Sequence, residues 1–110
     1  MAAVSELFAD DIAYHVPGNN ALTGDYAGKD EVFAAFGKLL EITGGTFKND
    51  IHDILANAEH GVVLVVNSAE RADGRAWTGR SAHIWHLKDG MATEFLRLNE
   101  DQATADAFFT

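Results

Sequence analysis

The residues best suited to chemistry in this chain are His83, Glu94 and Tyr14. His83 lies in a run from Trp77 to Lys88 that alternates as a strand does. Trp77, Ser81, His83, Trp85 and Leu87 share one parity and are expected to face inward, while Arg80, His86 and Lys88 share the other. An imidazole on an inward aromatic face can hold a pKa near neutrality and shuttle a proton. The plain alternative is a core histidine satisfied by a backbone or hydroxyl partner. Over Met91–Asn99, Glu94, Leu96 and Leu98 read as inward, with Thr93 and Arg97 outward. A carboxyl buried at Glu94 would have a raised pKa and serve as a general base; at the rim it would pair with Arg97 or Arg80. Tyr14 can bury its ring and present a hydroxyl to a carbonyl or enolate oxygen. Asn49 and Asn67 interrupt apolar strands, where each either orients a ligand or faces water.

Other chemistries lack their residues. His83 and His86 have an odd spacing that puts them on opposite faces of a strand. His15, His52 and His60 form no recognised ligand motif, so no metal is expected. Gly44-Gly45 follows a helix rather than opening one, which argues against phosphate binding. There is no G-x-S-x-G elbow and no cysteine.

The elements that must position these residues are one helix and a succession of strands. Gly28–Glu41 is the strong amphipathic helix, with Val32, Phe33, Phe36, Leu39 and Leu40 in one apolar stripe. Asp30 and Glu31 suit its positive end, and Gly44-Gly45 supplies its stop. Before it, Val4–Ala9 reads as a short helix and Ile12–Val16 as a strand halted by Pro17-Gly18. A polar loop is expected from there to Gly28. After the helix come strands over Thr46–Ala58, Val62–Ala72, Arg75–Lys88 and Met91–Asn99. Asp53 fits its face poorly and predicts a bulge near His52-Asp53. The run Val62–Val66 reads as a strand covered on both faces. Asp73-Gly74 and Asp89-Gly90 are hairpin turns, and Asp101–Phe109 is a short closing helix.

A chain of 110 residues is expected to form a single domain over 1–110. Its net charge of −9 is dispersed and repels phosphate backbones, so nucleic acid is not an expected partner. No apolar run approaches a membrane span, and the N-terminus lacks a secretion-signal pattern; a cytoplasmic location is the expectation.

The segment Leu7-Phe8-Ala9-Asp10-Asp11-Ile12-Ala13-Tyr14-His15-Val16-Pro17-Gly18 resembles the first strand of the nuclear transport factor 2-like superfamily, in its SnoaL-like, ketosteroid-isomerase-like branch. Gly28-Lys29-Asp30, Gly44-Gly45-Thr46-Phe47, Lys88-Asp89-Gly90-Met91, Glu94-Phe95 and Asn99-Glu100-Asp101-Gln102 continue the pattern. The resemblance implies an α+β cone-shaped barrel, a strongly curved, antiparallel to mixed sheet wrapped around one main helix plus short terminal helices. It implies a mostly apolar cavity and homodimers through the sheet. The general-base position of the family's steroid isomerases corresponds to Val16, so true steroid isomerisation is not expected. Arg71-Ala72-Asp73 echoes the pair of the family's epoxide hydrolases, but their last-strand acid corresponds to Leu98.

The expectation is therefore a pocket for a small apolar or aromatic molecule, with cofactor-free proton transfer of the isomerase, dehydratase or cyclase type. His83 would be base or acid, Tyr14 the oxyanion donor, and Glu94 the partner orienting His83. Val16, Phe36, Asn49, Asn67, Trp77, Trp85 and Leu98 would line the pocket. The alternative is a binding or dimerisation module of the same fold, without turnover.

Overall fold

The structure, a computed structural model, describes residues 7–110. Eight elements follow one another: β1 (Phe8–Val16), β2 (Gly24–Ala27), α1 (Lys29–Ile42), β3 (Lys48–Ala56), β4 (His60–Glu70), β5 (Ala76–Lys88), β6 (Met91–Asn99) and α2 (Gln102–Phe109). The strands form one sheet in the order β2-β1-β6-β5-β4-β3. β1 and β6 run parallel and every other pair antiparallel. The fold is α+β with a curved mixed sheet. The sheet does not close, because β2 and β3 remain its two edges.

Two early expectations change. The helix over Val4–Ala9 lies largely outside the described residues, and Phe8 and Ala9 belong to β1. The loop before Gly28 contains β2, four residues too short to stand out by alternation, held by pairing Tyr26 with Tyr14 and Gly24 with Val16. The Tyr26 hydroxyl also donates to the Leu22 carbonyl at 2.6 Å.

α1 starts where expected. Gly28 takes φ 84°, which favours glycine, and its N–H donates to the Ile12 carbonyl at 2.7 Å. This bond ties the helix start to β1. At the other end Gly44 and Gly45 both have positive φ, and the Gly45 N–H donates back to the Leu40 carbonyl at 2.9 Å. Val32 and Ala35 are buried against the sheet, whereas Leu40 falls off the stripe and is exposed. α2 is capped by Asp101, which accepts the Thr104 N–H at 3.2 Å. Its last carbonyls, Phe108 and Thr110, receive Nη1 of Arg71 at 2.8 and 3.0 Å. Arg71 thus closes a helix, while Asp73 pairs with Arg75 at the hairpin.

Two apolar clusters sit on the helix-covered face. The first joins Phe8, Ile12, Tyr14, Val32, Ala35, Ala92 and Phe95. Its centre is a three-ring stack across three strands: Tyr14 on Phe95 at 4.1 Å and Phe95 on Trp85 at 4.3 Å between centroids. The second gathers Leu22, Ala69 and Trp77 under Ala105, Phe108 and Phe109 of α2. β3 lies at the far edge, where Ile51, Ile54 and Leu55 are more than half exposed. The expected bulge is there, as the β3–β4 register shifts between Ile51 and Asp53. The outer face of β4 is not covered as expected: Val62, Leu64 and Val66 stay half-buried.

A second bulge was not expected, and it reorders the site. The β5–β6 register shifts so that Leu87 faces Ala92 but His86 faces Glu94, leaving Thr93 over. Alternation restarts after it. Phe95 and Arg97 therefore follow Ala92 inward, and Glu94, Leu96 and Leu98 turn to the opposite face. No helix among the described residues is long and apolar enough to cross a membrane.

Candidate functional site

Between the two apolar clusters runs a buried polar belt. It is built from the inward positions of β4, β5 and β6, where the cross-strand register pairs Val63 with His83 and His83 with Arg97. One step along, Val65 pairs with Ser81 and Ser81 with Asn99. Asn67 is fully buried; its Oδ1 accepts the Ser81 hydroxyl at 2.6 Å and its amide donates to Asn49 Oδ1. Asn49 itself is exposed, so of the two asparagines only Asn67 belongs to the interior.

Three buried polar atoms in this belt have no partner among the described residues: His83 Nε2, Arg97 Nε and Asn99 Oδ1. Buried polar atoms are ordinarily satisfied, so three together need a physical account. Arg97 is only 5% exposed and forms no ion pair among the described residues. Its guanidinium lies over the Phe47 ring at 5.2 Å. Such a contact is worth about 1–2 kcal/mol when desolvated, less than the several kcal/mol it costs to bury an unpaired ion. Burial lowers the pKa of Arg97. His83 is pushed down to about 4, by desolvation first and by the Arg97 cation second. The imidazole is therefore neutral at pH 7. Burial raises the Tyr14 pKa, so its phenol stays protonated.

The expected open hollow is nearly filled. A cavity of about 10 Å³ remains, lined by Tyr14, Val16 and Arg97 from the sheet, Ala35, Phe36 and Leu39 from α1, and Leu22. That is the room of one water molecule. Val16 and Phe36 line this small cavity, while Trp85 is taken up in the ring stack and Trp77 packs on Phe108 and Phe109.

Glu94 and Leu98 need correction, for the reason of the Thr93 bulge. Glu94 does not orient His83. It lies on the opposite face, accepting from His15 Nε2 at 2.9 Å and standing 3.6 Å from His86 Nε2. His15 also meets Asp25 at 2.6 Å, and the bonds to Asp25 and then Glu94 raise its pKa. Leu98 is 46% exposed on that same face. There it borders an open groove of about 590 Å³ with Leu64, Val66, Ala82, Arg80 and Glu100. Among the described residues no three His, Asp or Glu side chains are grouped to hold a metal ion.

Arg97 was missed by sequence reasoning. Its neighbours Leu96 and Leu98 outweighed Phe95 in deciding the inward parity. The available signal was Phe95, the one aromatic residue of the strand, which shares the parity of Arg97.

Residues 1–95 match the family model of the SnoaL-like domain. The chain belongs to the SnoaL-like domain family. An uncharacterized protein of Mycobacterium tuberculosis is 28% identical over 109 residues, which cover 99% of this SnoaL-like chain and 83% of that protein. Bal32a, from a soil-derived mobile gene cassette, is similar in structure with a TM-score of 0.94 and 28% identity, covering 100% of this chain and 84% of that one. A putative SnoaL-like polyketide cyclase from Jannaschia sp. shares the fold alone, with a TM-score of 0.82 at 13% identity over 99% of this chain and 78% of that one.

Proposed function

We propose that this SnoaL-like domain binds a small molecule of largely apolar body on its helix-covered face and moves a proton there through His83, without a cofactor. The observation that carries the reading is the buried, unpartnered Nε2 of a half-buried, neutral imidazole. A neutral imidazole can accept a proton from carbon or oxygen and return it elsewhere, the core of isomerisation, dehydration and aldol-type cyclisation. The Tyr14 hydroxyl, kept protonated by burial, would donate to the oxygen that gains charge. A molecule larger than water would need Phe36 and Leu39 of α1 to turn aside, since they close the cavity.

Hydrogen–deuterium exchange at the α-carbon of aryl ketones, followed by NMR in D2O, tests the reading. The expected result is exchange above buffer that is lost in His83→Asn. A set of ketones that bind but exchange no faster than in buffer would refute proton transfer and leave the non-catalytic binder. One observation favours that second reading: desolvation, with the Arg97 cation second, holds the His83 pKa low, which makes a weak base.

We further propose that two copies associate through the opposite face. The apolar groove of Leu64, Ala82 and Leu98 supports this, because a half-exposed leucine among apolar neighbours gains by being covered.

A further inference from the structure

We infer that the interior site takes an organic monoanion, its carboxylate or enolate-type oxygen against the Arg97 guanidinium and its apolar body between α1 and the sheet. This deepens the proposed function and rests on it.

Arg97 is 5% exposed, and no ion pair compensates it among the described residues. An unpaired buried cation destabilises a fold, and an apolar residue of similar size would serve packing better. The residues around it on the belt are neutral: Ser81, Asn67 and Asn99 carry no charge, and His83 is itself a base. One positive charge is left over. A monoanion balances it, whereas a neutral ligand leaves the guanidinium unpaired.

Arg97 borders the interior cavity beside Tyr14, Phe36 and Leu39. Phe47 meets it ring to cation at 5.2 Å, a contact that brings no oxygen acceptor to its N–H edge. The edge is the part that meets a carboxylate with two parallel hydrogen bonds. Nε, on that edge, has no partner. The aromatic and aliphatic walls suit the rest of the molecule.

The protein carries a net charge of −9, so its exterior repels anions. Preference for an acid over its neutral analogue would have to originate at a buried cation.

The test uses benzoate against benzamide and trans-cinnamate against trans-cinnamamide, titrated into the full chain while the Arg97 Nε–H and His83 imidazole signals are followed by NMR. The acids are expected to bind at least about tenfold more tightly than their amides. Arg97→Met should bring each pair to within about twofold while keeping a cooperative unfolding transition. Arg97→Gln gives the same comparison should the methionine variant fail to fold, and the wild-type acid–amide comparison needs no variant. Amides that perturb His83 as strongly as the acids would overturn the anion assignment and leave the interior site standing. Acid preference that survives in Arg97→Met or Arg97→Gln would also overturn it. If neither acids nor amides move the His83 and Arg97 signals, the interior site falls, and this inference with it.

Discussion

Arg97 stands directly across from His83 in the β5–β6 ladder, so two basic side chains share the interior where neither meets an acid among the described residues. Desolvation first, and the neighbouring cation second, keep the imidazole neutral.

Stability should therefore rise with pH through the His83 window. The group titrates near 6.5 when unfolded and about 4 when folded. Between those values the unfolded chain binds more protons, so the contribution is complete above pH 6.5 and is lost as pH falls towards 4. The loss attributable to His83 should reach up to about 3 kcal/mol. Urea unfolding of wild type and His83→Leu across pH 4–7 would measure it, the variant lacking this part of the slope. His15 works in the opposite sense. Its raised pKa gives stability that is present below 6.5 and lost as pH rises through the folded value.

Replacing Arg97 by methionine should leave the protein as stable or raise its stability by about 1–3 kcal/mol, because the unpaired charge is removed and the stem volume kept. Chemical denaturation at pH 7 checks this. A loss of several kcal/mol would show that the guanidinium has a structural partner.

Glu94→Gln should act only on the outer face. The His15 pKa should fall towards its ordinary value, because one of its two carboxylate partners becomes neutral. The His83 signal in an NMR pH titration should not move. A shift at His83 would restore Glu94 to the interior.

Leu98→Glu places a charge in the outer groove. Sedimentation equilibrium should show dimer association weakened by at least about a hundredfold, with monomer stability changed by no more than about 0.5 kcal/mol at this half-exposed position. A wild-type protein that sediments as a monomer at high concentration would refute the dimer.

Asp101→Ala removes the cap of α2 and should cost about 1 kcal/mol. Thermal unfolding reads it directly. Trp77 fluorescence should report the same transition, since its ring packs on Phe108 and Phe109 of that helix.

What the sequence showed well was local. α1 carries its boundaries in Asp30, Glu31 and Gly44-Gly45, and both hairpin glycines, Gly74 and Gly90, have the positive φ such turns require. The bulge at Asp53 was legible because a charge interrupted an apolar face. The bulge at Thr93 carried no such mark. Threonine suits either face, and the shift depends on how His86 meets Glu94 across the ladder. One unmarked residue thus exchanged Arg97 for Glu94 inside the site. β2 was hidden for a related reason: its four residues become a strand through the partner that β1 offers. The extent of filling was also not legible, since it depends on Tyr14, Phe95 and Trp85 meeting ring on ring from three separate strands.

The parallel seam between β1 and β6 has a consequence for biosynthesis. Tyr14 is seated against Phe95, contributed by β6, about eighty residues later in the chain. Until that strand leaves the ribosome, the first one lacks its central neighbour and the aromatic stack lacks its middle ring. Such sequence-distant pairing slows folding. The nascent chain must keep β1 from mispairing until β6 has been synthesised.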